Sequence, residues 1–216
     1  MTKKYITFYH DLLKFGWHKT RQHAWFLFLT FLVFAIITHS VSGVRFIELI
    51  VSLMVGISIA SLSLTISRDH HFTFRDLFMP VLSPRRVLNF TFFALVYLFI
   101  IFCVFAFIAA SYAYGNVPLM VLGLILLIPV AYIAVRLKFL AYVVVEHENA
   151  SIKDLFTMSL HLTRGHFWFV FLFILVATLF NLLGIALAGV GLFLTVPISL
   201  FAFARVYDRL KEHHTV

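Results

Sequence analysis

Six long apolar runs limit what this chain can fold into. They lie near 23–41, 46–66, 90–113, 117–137, 167–187 and 189–206. Each is close to the roughly 20 mostly apolar residues that a helix needs to cross the hydrocarbon core of a bilayer. A soluble domain has about a quarter of its residues charged, whereas here 12% are charged and 62% are hydrophobic, Phe alone contributing 27. No aqueous interior of a 216-residue chain could hide that surface, so lipid must be its solvent. The expected fold is all-α and integral to the membrane, with six transmembrane helices in a single domain over 1–216. The first and last spans have the shortest purely apolar cores. The run at 24–38 follows a long polar and aromatic leader and is read as a retained span, not a cleaved signal. Trp25, Tyr112, Tyr114, Trp168 and Tyr207 lie near span ends, where amphipathic rings suit the interface.

Charge sets the orientation. Of the 17 Lys and Arg residues, all but Arg45 fall on one side of the six-span arrangement. They lie in the N-terminal leader, in the connections after the second and fourth spans, and in the C-terminal tail. Cytoplasmic connections carry such an excess, so both termini are expected in the cytoplasm. The net charge of +8 would suggest nucleic acid as a partner in a soluble protein. Here topology accounts for it, and no nucleic-acid partner is expected. The external connections around Ser42-Gly43, Gly115-Asn116 and Ala188-Gly189 are short, so the spans pair into tight hairpins.

The three hairpins share a preface. Residues 10–28 align with 153–171 at an offset of 143 without a gap, placing Asp11-Leu12 over Asp154-Leu155 and Arg21 over Arg164. A middle copy aligns Asp76-Leu77 with Asp154-Leu155 and Arg86 with Arg164. In every copy the Asp precedes the Arg by ten residues. Lys153, Asp154, Thr157, His161 and Arg164 fall on one helical face and mostly apolar residues on the other, the pattern of a helix lying in the interface. The expectation is a pseudo-threefold internal repeat with units of approximately 5–66, 73–145 and 151–210. Each unit is a cytoplasmic amphipathic interfacial helix followed by two spans. Ser151 and Thr73 are suited to N-caps with Asp154 and Asp76 at N3, close to a capping box. That reading is preferred to a triad of ion pairs, because ten residues of helix separate Asp and Arg by ~15 Å. Pro80 and Pro84 should break the middle helix after about a turn and a half. The later hairpins share Gly123 with Pro129 and Gly191 with Pro197, six residues apart, with Arg136 and Arg205 following.

Ionisable groups inside a membrane are functional candidates by default, and few are present. Glu48 lies near the external end of span 2 within reach of Arg45, and Asn181 lies near the middle of span 5. The two form the candidate intramembrane polar site, with interhelical hydrogen bonding the plainer role of Asn181. Arg136 and Lys138 end span 4 before a second apolar stretch at 139–145. Either one long helix continues or a short segment folds into the interface. Arg85, Arg86, Arg136, Lys138, Arg164 and Arg205 are the candidate contacts for lipid headgroups or a protein partner, beside ordinary positive-inside anchoring. Ser52, Gly56, Ala60 and Ser63 in span 2, and Gly184 with Ala188 in span 5, form stripes that let helices approach. The single cysteine, Cys103, excludes an internal disulfide. His70-His71, His147 and His213-His214 have carboxylates beside them, but no helical metal-ligand spacing. There is no nucleophile elbow, no phosphate-binding loop and no dinucleotide glycine cluster. No catalytic residue, metal or cofactor is expected.

From Arg136 through Ser159, Gly165, Trp168, Gly191 and Pro197 to Tyr207, the chain resembles a group of uncharacterised bacterial multi-pass proteins. These are similar to the membrane domain attached to some glycerophosphodiester phosphodiesterases. In that group a span ends in Arg, a short amphipathic helix carries a Ser, a Gly-aromatic step opens the next span and a Pro sits in the last. The resemblance implies a domain of the bacterial cytoplasmic (inner) membrane, lipid-associated or accessory to a partner, and carries over no catalytic residue. The expected function is thus a non-enzymatic membrane module that organises or regulates a protein partner or a second copy of itself, or binds membrane lipids. The alternatives are a small transporter or channel, from the repeat and the proline-interrupted spans, and a lipid-modifying enzyme using His161 and Asp154.

Overall fold

Every one of the six apolar stretches forms a helix, and four further helices lie between or before them. The computed structural model describes residues 2–40, 43, 45–70, 73–186 and 191–214; the side chains of 2–9, 45, 46, 74, 213 and 214 lie outside the description. In chain order the helices are α1 (Thr2–Gln22), α2 (Ala24–Ser40), α3 (Arg45–Ser67), α4 (Phe74–Phe78) and α5 (Pro84–Ala113). They continue with α6 (Val117–Arg136), α7 (Leu140–Glu146), α8 (Ile152–Leu162), α9 (Phe167–Ala186) and α10 (Leu192–His214). The long helices pack in sequential pairs, α2 on α3, α5 on α6 and α9 on α10.

Four helical stretches are long and apolar enough to cross a membrane: Ile47–Ser67, Pro84–Ala113, Val117–Glu146 and Phe167–Ala186. Counting α1 and α2 together, which meet at 83°, makes five. The other two expected spans have physical reasons for falling short. α2 alone has 17 residues, and the uninterrupted apolar part of α10 ends at Arg205. The stretch after span 4 is a continuation. α6 loosens into a turn at 137–139, where Leu140 N–H donates to the Leu137 carbonyl at 3.0 Å, and α7 carries on.

Local chemistry sets the ends of the short helices. Ser151 Oγ accepts from Asp154 N–H at 3.2 Å, and the Ser151 N–H donates back to the Asp154 carboxylate at 3.3 Å, a reciprocal cap on α8. Thr73 N–H likewise donates to Asp76 at 2.7 Å at the start of α4. α4 has five residues, stopping before Pro80. α5 then begins at Pro84, earlier than the expected 90, because proline suits the first helical position. Arg86 therefore belongs to the first turn of α5, not to the end of the preceding helix. Asp11 differs from the other two acids, sitting well inside α1, where there is no cap to make.

The short helices bury one stripe each. Leu12, Leu77 and Leu155 are all buried to within 1% of full occlusion. α1 packs on α10, α4 on α3, and α8 on α7. The main core lies at the charged end of the bundle. It gathers the last turns of α3 (Ala60, Leu64), the α6–α7 junction (Val135, Phe139, Val143) and α10 (Ala202, Val206, Leu210). Phe139 meets Phe203 and Tyr207, and Tyr142 stacks on Tyr207 with centroids 5.4 Å apart. The far end is looser. Hardly any residue in the most apolar parts of α5 and α6 is fully buried, whereas over a third of those in α3 are. Exposed Phe99, Phe102 and Ile128 are tolerable only where the surroundings are apolar.

Two glycines mark where backbones touch. A Cβ at Gly16 would lie 2.4 Å from the Ile198 carbonyl oxygen of α10, and one at Gly184 would lie 2.4 Å from Thr195 Oγ1. Gly16→Ala should lower the unfolding temperature in detergent by an amount corresponding to roughly 1–3 kcal/mol of overpacking. Gly43→Ala, with nothing within 4 Å of the added carbon, should leave it unchanged. Equal thermal shifts for the two variants would contradict the close packing of α1 on α10.

Candidate functional site at the charged end of the bundle

The three helices that form the core end in acids and cations that meet. Arg68, one residue past α3, donates from Nε and Nη2 to Asp208 Oδ1 of α10 at 3.1 and 2.5 Å. Its Nη2 also lies 3.1 Å from Glu146 Oε1, at the end of α7. Lys211 Nζ reaches the same Glu146 oxygen at 2.9 Å, and the Tyr207 hydroxyl donates to the other at 2.6 Å. Glu146 is thus shared by three side chains from two other helices, with 19% of its side chain exposed. The Asp208 hydrogen bond leads in holding the Arg68 guanidinium above its ordinary pKa. Burial, and next the hydrogen bond to Glu146, push the Tyr207 phenol well above its usual range. The cluster contains two cations and two anions and is electrically balanced, which suits a lock better than a ligand site.

Two smaller contacts flank it. Lys19 of α1 is buried, and its ammonium pairs with Asp69, just past α3. Asp69 has φ of 59°, a left-handed conformation that Asp tolerates better than most residues. The nearby Lys19 holds its carboxyl below the usual range. Glu148 follows α7 and takes Arg86 Nη2 at 2.8 Å and the Ser83 hydroxyl at 2.5 Å, tying the start of α5 to the same end.

Arg136 turns inward. Its Nη1 donates to the Tyr132 hydroxyl at 2.8 Å and its Nη2 to the Leu160 carbonyl at 2.6 Å, near the C-terminus of α8. The Ser159 hydroxyl donates back to the Arg136 carbonyl at 3.2 Å. A cation on the last carbonyls of a helix also suits its dipole. Arg205 lies over the Phe15 ring at 5.3 Å, and Lys138 lies over Phe203 at 4.8 Å.

The expected contacts therefore divide. Arg85 and Arg164 are exposed, as are Lys14 and Arg21 on α1, and none of the four has an ion pair among the described residues. Arg86, Arg136, Lys138 and Arg205 each touch protein. The two intramembrane candidates lie on different helices. Asn181 accepts from Ser199 at 3.4 Å across the α9–α10 contact, while Glu48 lies in the first turn of α3. The side chain of Arg45, expected beside Glu48, lies outside the described residues, as do Ala188, Gly189, His71 and the side chains of His213 and His214. Asp11 has His10 beside it at 3.8 Å, and Arg21 is solvent-facing. Among the described residues no three His, Cys, Asp or Glu side chains are arranged to hold a metal.

The cluster of Arg68, Glu146, Tyr207, Asp208 and Lys211 escaped the sequence reading. Its signal was present: Glu146 ends α7, and Asp208 follows the apolar part of α10. A charge count that weighs only cations passes over them.

Two outcomes test this geometry. A double-mutant cycle on Arg68→Met and Asp208→Asn should return a coupling on the order of 1–2 kcal/mol in thermal or denaturant unfolding; a coupling near zero would contradict the lock. Ser151 also holds the Asp154 carboxyl below the usual range, mainly by hydrogen bonding. A carboxylate depressed on folding stabilises at pH values above its unfolded pKa of about 3.9 and loses that contribution as pH falls. Asp154→Asn should therefore speed amide exchange in the first turns of α8 at pH 7. The difference from wild type should fade on acidification below about pH 4.

No family model, curated protein or solved structure matches the chain.

Proposed function

We propose that the chain is a non-enzymatic, six-span membrane module whose charged end faces the cytoplasm, where it binds anionic lipid and serves a membrane partner. The observation that carries this reading is the division of its cations. Arg68, Arg86, Lys19 and Lys211 are occupied by carboxylates within the fold. Lys14, Arg21, Arg85 and Arg164 are exposed at the same end without such partners among the described residues. Juxtamembrane cations of that kind attract anionic headgroups at about 1 kcal/mol each. The charge asymmetry favours termini in the cytoplasm.

A threefold repeat fits the packing. Leu12, Leu77 and Leu155 each follow the repeated Asp and each is buried. Every short helix rests on the second long helix of the hairpin before it, and α1 closes the cycle on α10. Arg136 reaches α8 through the Leu160 carbonyl, and Arg205 reaches α1 through the Phe15 ring. The likeness of the C-terminal half to the phosphodiesterase-associated membrane domains fits an accessory role in a bacterial inner membrane.

The transport alternative has less support. Of the two prolines inside spans, Pro129 of α6 is exposed where a pathway would need it turned inward, while Pro197 of α10 is buried. Asp154, the carboxylate of the enzymatic alternative, is engaged in the cap of α8.

Two measurements test the proposal. In a Cys103→Ala background, Lys153→Cys should react with an impermeant maleimide from the cytoplasmic side and Asn116→Cys from the opposite side; the same side for both would refute the topology. In native mass spectrometry the protein should retain phosphatidylglycerol several-fold over phosphatidylcholine. Arg85→Gln with Arg164→Gln should reduce that preference, and equal retention of both lipids by the wild type would refute lipid selectivity.

A further inference from the structure

We infer that the outward stripe of α1 is a binding site for the phosphate group of an anionic phospholipid. The inference rests on the cytoplasmic, lipid-binding reading above and names the place where that binding is concentrated. α1 carries two stripes with helical spacing. Leu12, Gly16, Lys19 and Thr20 are buried, and α1 packs on α10 along this side, with Gly16 against the Ile198 carbonyl. Lys14, His18 and Arg21, spaced i, i+4 and i+7, are all exposed. One stripe fastens the helix and the other presents three basic groups outward.

Asp11, Lys14, Phe15, Trp17, His18 and Arg21 line one shallow, open and largely apolar depression on the surface of α1. Trp17, 48% exposed, and Phe15 flank the basic stripe on its two sides, and the His18 ring lies 3.1 Å from the Gln22 amide. Arg205 sits over the opposite face of this region, against Phe15. The one acid, Asp11, stands at the end of the stripe with His10 beside it. Elsewhere at this end Arg75, Arg85, Lys138, Lys153 and Arg164 are also exposed, whereas on α1 three exposed basic side chains follow one another at one-turn spacing.

Orientation supplies the match to a lipid. α2 packs along α3, bringing Leu27 and Phe34 against the side that holds Leu62 and Ile66. α1 turns 83° away from it. With α2 upright in the bilayer, α1 lies along the surface, its Trp17 at the depth where indole rings prefer the interface. Its cations then stand level with phosphates. Lys14 and Arg21 are ~10 Å apart along the helix with His18 between them, so a phosphate beside His18 meets a cation on either side. Zwitterionic lipid offers the same phosphate with a choline that the stripe repels. Occupancy should also stabilise the docked α1, since a ligand that binds the folded state alone raises its stability.

Trp25 and Trp168 are both more than 70% exposed and can be replaced by Phe, leaving Trp17 as the only indole. In nanodiscs of phosphatidylcholine doped with brominated phosphatidylglycerol, Trp17 should be quenched at least threefold more than with the same fraction of brominated phosphatidylcholine. Lys14→Gln with Arg21→Gln should abolish that ratio, with size-exclusion profile and helicity unchanged. A chain keeping only Trp25 should show no preference. Equal quenching of Trp17 by the two lipids, or a preference that survives the double substitution, overturns the site. If Trp17 fails in this way while native mass spectrometry still finds phosphatidylglycerol retained, this site alone falls. If the wild type retains no phosphatidylglycerol at all, the lipid-binding reading falls with it.

Discussion

Glu146 is the contact on which the bundle's architecture turns. Its carboxylate receives Arg68 from the end of α3 and both Lys211 and Tyr207 from α10, joining the three core helices at one point. Lipid tails are as apolar as leucine, so apolar contact alone gives helices in a bilayer little reason to choose one neighbour over another. Polar groups at the helix ends supply that choice. Here they act where the core is densest, beside Phe139, Tyr142 and Tyr207, and partial burial strengthens them relative to surface pairs. The opposite ends have no comparable tie among the described residues. The α5–α6 pair touches the rest mainly near its charged end and presents its remaining length to the surroundings.

The cations of the charged end fall into two groups. Arg68, Arg86 and Arg136 are engaged by the fold, on carboxylates or on the Leu160 carbonyl of α8. Lys14, Arg21, Arg85 and Arg164 are left outward. The first group fastens helix ends to one another, and the second is the one to which the proposal above assigns lipid contact, beside positive-inside anchoring. The amphipathic α1 has both kinds, since its inner stripe, with the paired Lys19, packs on α10 while its outer stripe carries exposed basic groups.

The features legible in the sequence were those with local causes. Ser151 and Thr73 cap their helices as their spacing with Asp154 and Asp76 indicates, and Pro80 ends α4 after five residues. The repeated Asp-Leu pair marked three leucines that are buried. Features with distant causes were not legible. Arg68 and Asp208 are separated by 140 residues, and nothing in the neighbourhood of either one names the other. Arg136 read equally well as a lipid contact, because a hydropathy profile records that a cation ends a span but not what its guanidinium meets. Arg86 kept its ten-residue distance from Asp76 yet moved to the next helix, since a proline pair reset the start of α5.

The most direct test of the account is residue-resolved hydrogen exchange on Glu146→Gln in nanodiscs. If Glu146 ties three helices together, exchange should rise at the same time in three separate segments, near 62–68, 140–146 and 203–210, while the turn around Gly115 and Asn116 keeps its wild-type rate. A rise confined to the residues adjoining position 146 would contradict the account, because the three helix ends would then be held by something other than this carboxylate.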